Sequence, residues 1–127
     1  MPAPDLVVNL ADQLFAAIER GDEAALEQMF DEDIAVWRVG SHRDDDKARA
    51  LRVLHWFIDV TERRRYEILD RQLFSGGFVQ QHVLHATGHN GGSIALRVCI
   101  VIKLNVEALI SRIDEYFDPA DMAALMN

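Results

Sequence analysis

The sequence predicts an α+β fold in which N-terminal helices pack on a curved antiparallel sheet. Two observations carry that prediction. The stretch SIALRVCIVIKLN, residues 93–105, places Ile94, Leu96, Val98, Ile100, Ile102 and Leu104 at every second position. That period sends all six to one face of a strand. Ala95, Arg97, Cys99, Val101 and Lys103 take the other face. A long strand that is apolar on one side and semi-polar on the other is a central strand with one face on the core. The second observation is order: helical periodicity dominates before residue 61, and strand periodicity follows from Tyr66 on.

The elements follow in turn. The first helix spans residues 4–20, with Pro4 at its first position and Asp5 near the positive end of its dipole. Leu6, Leu10, Leu14, Ala17 and Ile18 form its apolar stripe, and Gly21 supplies a left-handed stop. Asp22 caps a second helix carrying Ala25, Leu26, Met29 and Phe30, which the acidic Asp31, Glu32 and Asp33 end. Residues 34–39 form a short strand. Gly40 and Ser41 break it, and Asp44, Asp45 and Asp46 form the first turn of a third helix that runs to about residue 61. Leu51, Leu54, Phe57 and Ile58 are its buried face. Strands over 66–74 and 78–87 flank a Ser75-Gly76-Gly77 turn. The loop Gly88-His89-Asn90-Gly91-Gly92 leads into the 93–105 strand. A glycine-free turn at 105–107 precedes a last strand over 109–117. Asp118 and Pro119 then open a short helix to Met126, with Met122, Leu125 and Met126 facing inward.

A chain of 127 residues is read as one domain, 1–127, able to bury roughly two-thirds of its unfolded surface. No apolar run is long enough for a membrane span, and no charged-then-apolar leader is present. The lone Cys99 can form no internal disulfide, so a cytoplasmic location is expected. A net charge of −8 argues against nucleic acid as a partner, since phosphate contacts need a basic footprint. The only basic run, Arg63, Arg64 and Arg65, lies among acids and reads as a solvated element end.

Three stretches carry a family resemblance: ALEQMFDEDIAVW, GGFVQQHVLHATG and ISRIDEYFDPADM. With the element order, they resemble the nuclear-transport-factor-2-like superfamily and its SnoaL-like group. That group's relatives include ketosteroid isomerase, limonene epoxide hydrolase and scytalone dehydratase. The resemblance implies a cone-shaped curved sheet, antiparallel with mixed pairing, wrapped around three N-terminal helices, with a short C-terminal helix. It implies a deep pocket inside the cone. Strand parity with the match places Val36, Arg38, Gln81, Val83, His85, Ile113, Glu115 and Phe117 inward, together with the even-numbered set from Ile94 to Leu104. Leu96, Val98 and Ile100 of that set line the pocket, and Leu10, Leu14 and Ile18 close it from the first helix.

The same match removes two known chemistries. The base, tyrosine and acid positions of ketosteroid isomerase fall on Arg38, Leu14 and Ile100. None can do the job, least of all the neutral acid that must donate a hydrogen bond. The Asp–Arg–Asp constellation of limonene epoxide hydrolase falls on Val83, His85 and Glu115, so its arginine is gone. His85 is compatible in type with the histidines of scytalone dehydratase, without a shared motif.

His85 with Glu115 is the remaining chemical pair. A carboxylate can orient an imidazole and tune it near neutrality as acid or base. The competing reading is a histidine satisfied by one core hydrogen bond, with Glu115 at the rim. Arg38 is either a fork for a ligand carboxylate or enolate oxygen, or one half of an internal salt bridge to Glu115 or Asp70. The five histidines show no ligand spacing with a third partner, so no metal is expected, and no cofactor motif occurs. Cys99 faces away from the cone and has no local base.

These residues point to a small SnoaL-like enzyme doing cofactor-free acid–base chemistry on a hydrophobic small molecule with a carboxylate or carbonyl. The reaction would be an isomerisation, cyclisation, hydration or dehydration. His85 is its acid or base, Glu115 the orienting carboxylate and Arg38 the oxygen anchor. The alternative is a non-catalytic binding or assembly module of the same fold. Ala95, Cys99 and Val101 make the outer sheet face apolar enough to need covering, and the resemblance implies that two such faces pack together as a homodimer; the alternative is a monomer whose last helix folds back across that face.

Overall fold

The computed structural model describes residues 2–126. Met1 and Asn127, the ends of the expected 1–127 domain, lie outside the described residues. Helix α1 spans Pro4–Arg20 as its periodicity predicts. Gly21 ends it at φ 71°, where its N–H donates to the Ile18 carbonyl and that of Asp22 to the Ala17 carbonyl. Asp22 Oδ1 then accepts from the Ala25 N–H at 3.1 Å and starts α2, Glu23–Met29.

The acidic run at 31–33 does not terminate α2 but lies within strand β1, Phe30–Arg38. Phe30 and Ile34 are both buried. Pairing jumps from Phe30 with Ile110 to Ala35 with Arg112. That bulge lets the acids swing to the surface while both apolar residues stay in the core.

Helix α3 is Lys47–Val60, shorter at its start than the acids suggested. Asp46 is its N-cap, accepting from the Arg49 N–H at 3.0 Å. Asp45 lies before the helix, in a backbone bridge with Val36, and reaches it only through an ion pair with Arg49, while Asp44 pairs with Arg112. Strand β2, Thr61–Phe74, follows α3 directly, then β3, Gly77–Gly88; β4, Ser93–Leu104; and β5, Ile110–Tyr116. A Cβ at Gly77 would collide with the Ile102 carbonyl, which explains glycine at the start of β3. The glycine-free turn after β4 puts Ala108 at φ 62° and is held by the Asn105 side chain, which accepts from the N–H groups of Glu107 and Leu109.

The sheet runs β1-β5-β4-β3-β2, with β1 parallel to β5 and the other pairs antiparallel. It is a mixed, curved, unclosed cone, and the helices fill its concave side. The last element is a 3₁₀-helix, Pro119–Leu125. Its Leu125 is buried, whereas Met126 is exposed rather than inward.

Strand β4 behaves as its alternation demands, with Ile94, Leu96, Val98, Ile100, Ile102 and Leu104 all buried. Strand β3 does not follow the expected parity. His82 pairs with Val98, Leu84 with Leu96 and Ala86 with Ile94. Directly paired residues share a face, so the even positions of β3 point inward. Gln81, Val83 and His85 lie on the outer face, and Gln80, His82 and Leu84 take the places expected of them.

Candidate active site

A cavity of about 270 Å³ lies between α1, α3 and the concave face of the sheet. Leu14, Val36, Leu96, Ile100, Ile113 and Phe117 are among the residues that line it. Val98 is inward and buried but packs outside the lining. Four polar side chains reach this apolar space: Arg38, Tyr66, His82 and Glu115.

Arg38 and Glu115 are brought together because β1 and β5 pair in register, Arg38 opposite Glu115. Arg38 Nη1 donates to Asp45 Oδ2 at 3.0 Å, and its Nε lies 3.5 Å from Glu115 Oε1. Asp70 is not a partner of Arg38; it accepts from Gln72. Burial pushes the Glu115 carboxyl above its usual range, and the Arg38 guanidinium only partly offsets it. Glu115 is a carboxyl held toward its protonated form beside an apolar chamber.

His85 is not part of this group. Its Nε2 lies 2.9 Å from Glu67 Oε1 on the outer face, and that bond holds the Glu67 carboxyl below its ordinary value. The chamber's imidazole is His82. It is buried, edge-on to Phe15 and Tyr66, and its Nδ1 lies 2.8 Å from Gln80 Nε2. Burial, then the charge of Arg71, lowers its pKa to about 4, so it is neutral at physiological pH. The Tyr66 phenol is pushed well above its usual value by burial and then by the Glu115 and Glu19 charges. It stays a protonated donor.

Sequence reasoning missed Tyr66 and His82. The missed signal was the hairpin loop. Five residues, 88–92, join Thr87 to Ser93, and the two ends pair directly. Closing the hairpin symmetrically on that loop pairs even with even positions and turns His82 inward. Chemically, the chamber offers one titratable carboxyl with its counter-charge and two neutral donors. Among the described residues no three His, Cys, Asp or Glu side chains converge as a metal-binding group.

A curved, unclosed α+β cone with helices on its concave side is the architecture of the nuclear-transport-factor-2-like superfamily. A family model described as a SnoaL-like domain matches residues 11–113, and the chain belongs to that family within the nuclear-transport-factor-2-like superfamily. No protein of curated function matches the sequence. Among solved structures, a protein from Shewanella denitrificans OS-217 described as a SnoaL-like polyketide cyclase is similar at 13% identity and TM-score 0.82, covering 98% of both chains. An epoxide hydrolase of limonene-epoxide-hydrolase-like type from Mycobacterium tuberculosis is similar at 16% identity and TM-score 0.80, over 98% of this chain and 92% of that one. SalBIII, an epoxide hydrolase/cyclase-like enzyme with a role in pyran ring formation in the polyether salinomycin, is similar at 16% identity and TM-score 0.82, over 95% and 97%. At these identities the likeness is one of fold.

Proposed function

We propose that this chain is a SnoaL-like enzyme doing cofactor-free acid–base chemistry on a hydrophobic small molecule held in the cone. Glu115 is the acid or base. Arg38 is its counter-charge, and the Tyr66 hydroxyl and His82 imidazole donate to the substrate oxygen on which charge develops. Isomerisation or ring closure through an enol fits this set, because a carboxylate removes the proton while two neutral donors hold the oxygen. The observation that carries the reading is Glu115, a carboxyl with a raised pKa facing an apolar chamber that also holds Tyr66 and His82. Epoxide hydrolase and cyclase activities in the names of similar structures support acid–base chemistry as a class. The proposal includes a homodimer through the outer sheet face and a cytoplasmic location.

The test uses a panel of cyclic ketones and β-diketones. Binding is read by thermal shift, and deuterium uptake at the carbon next to the carbonyl is read by NMR. Wild type should bind and exchange, and Glu115→Gln should still bind but exchange roughly 10²–10⁴-fold more slowly. Binding without any exchange would favour a binding module, and exchange insensitive to Glu115→Gln would overturn the assignment.

A further inference from the structure

Behind the chamber wall lies a chain of hydrogen bonds that the acid–base reading does not use. It begins on the surface at Asp12 of α1. Arg71 Nη1 donates to Asp12 Oδ1 at 2.8 Å. Arg71 Nε donates to Gln80 Oε1 at 2.7 Å. Gln80 Nε2 lies 2.8 Å from His82 Nδ1. Gln80 and His82 are both buried, and Arg71 sits against the rings of Phe15 and Phe78 at 6.0 and 5.7 Å. The sheet register assembles the chain: Arg71 is directly opposite Gln80, and Gln80 and His82 are two apart on one face of β3.

The donor inventory leaves one assignment. Arginine has five N–H donors and no acceptor. The Gln80 atom facing Arg71 Nε must therefore be its carbonyl oxygen. A flipped amide would set donor against donor at the centre of the wall. With the oxygen committed, the amide nitrogen faces His82 Nδ1, and that nitrogen can only donate. His82 Nδ1 must then accept, so it carries no proton. The ring's one proton sits on Nε2, the nitrogen with no protein partner among the described residues.

We infer that Asp12, Arg71 and Gln80 lock His82 as the neutral Nε2–H tautomer, so that the inner wall of the chamber recognises a ligand by an acceptor oxygen such as a carbonyl, epoxide or phenolate oxygen. Gln80 and Arg71 are positioning residues; His82 is the group that meets the ligand. The inference rests on the cavity being a ligand site, but the lock itself is present without ligand. Protonating His82 would put a second proton against the Gln80 NH₂, so the wall rejects the imidazolium as well as the other tautomer. The charged and titratable groups around the ring are Arg71 through Gln80, and Tyr66 across the β2–β3 pairing.

The tautomer is read directly by long-range proton–nitrogen NMR on ligand-free, full-length protein. Wild type and Arg71→Lys, which keeps a donor on Gln80, should both show protonated Nε2 and unprotonated Nδ1. Arg71→Met frees the Gln80 amide to flip and should give a mixture of tautomers. Gln80→Glu replaces the donor by an acceptor and should move the proton to Nδ1. A merely structural role would lower stability in these variants and leave the tautomer unchanged, which would overturn the inference. So would a wild-type ring protonated on Nδ1. In the binding arm, the probe pair is a cyclic ketone and the exocyclic alkene of the same shape. Gln80→Glu should weaken the ketone about tenfold, near 1.4 kcal/mol, and leave the alkene alone. Equal loss of both sinks the acceptor-oxygen assignment. Failure of wild type to bind either probe, with the tautomer as stated, counts against the functional reading and the ligand half of this one, and leaves the lock standing.

Discussion

His82 and Glu115 titrate with opposite consequences for stability. The folded protein holds His82 at about 4, against 6.5 when free. Between those values the unfolded chain binds the proton and the folded one does not. Stability is therefore present above 6.5 and falls as pH drops through that window, by up to roughly 3 kcal/mol. Glu115 is raised from 4.5, so its contribution is full below 4.5 and is lost as pH rises through its folded value. Urea unfolding across that range should show His82→Leu gaining on wild type toward acid pH and Glu115→Gln gaining toward neutral pH. Profiles parallel to wild type would contradict both assignments. Arg38 controls the second effect. Arg38→Gln removes the one guanidinium that pulls the Glu115 pKa down, so a carbon NMR titration should find it higher still. The stability loss should be modest, about 1–2 kcal/mol, because the pair is part-exposed and Asp45 keeps Arg49 at 3.0 Å.

Whole elements are joined by single side chains, and Arg64 is the clearest case. From β2 it donates to the carbonyls of Ile18 and Glu19 at the end of α1, and to Ile58, Thr61 and the Thr61 hydroxyl at the end of α3. Helix ends leave carbonyls without partners, and one guanidinium serves both here. Arg64→Ala should cost about 2–4 kcal/mol, with Arg64→Lys recovering only part, since an ammonium lacks the planar fork. Asp46→Ala should cost about 1 kcal/mol as a lost cap, and Asp44→Ala less, since its Arg112 pair is exposed. Equal losses would restore the view that both acids serve the α3 dipole. These contrasts mark where the sequence was legible. Six apolar residues at period two in β4 and the Gly21 stop in α1 leave one reading each. The inward placement of Val36, Arg38, Ile113 and Glu115 needed the family match as well as parity, because buried Ile110 and Ile113 fall on opposite parities of β5. In β3, HVLHATG carries a histidine and an apolar residue on both parities, so hydropathy alone cannot choose between His82 and His85. The pairing across the loop chooses. The acids at 31–33 and 44–46 were ambiguous for a related reason: an acidic run is compatible with a helix start, a strand bulge or an ion pair, and only distant partners such as Arg38, Asn105 and Arg112 decide.

At the scale of the whole molecule, the outer face of the sheet is left uncovered by the other described elements. Leu14 and Ile18 of α1, Leu26 of α2 and Phe57 of α3 all belong to the core on the concave side. The C-terminal 3₁₀-helix also lies on that side, because Met122 reaches the cavity, and Asn90 in the β3–β4 loop donates to the Ala124 carbonyl. It does not fold back across the outer face. There Val79, Val83, Cys99 and Val101 are only half-buried and Ala95 is exposed, bordered by Gln81 with Arg97 and by His85 with Glu67. An apolar centre with mixed charges around it is the anatomy of an association surface. A second copy of the same face is complementary to it in an isologous pair, where each valine meets valines and each charged border can meet its opposite sign. Sedimentation at micromolar concentration should therefore give a species of twice 14.4 kDa. Val101→Glu places a carboxylate at the centre of the pair and repeats it by symmetry, so this variant should sediment as a monomer with unchanged helix and sheet content. A wild-type monomer, or a dimer indifferent to Val101→Glu and Val83→Glu alike, would move the contact elsewhere; the exposed Ile68, Leu69, Leu73 and Phe74 of edge strand β2 would be the next surface to probe.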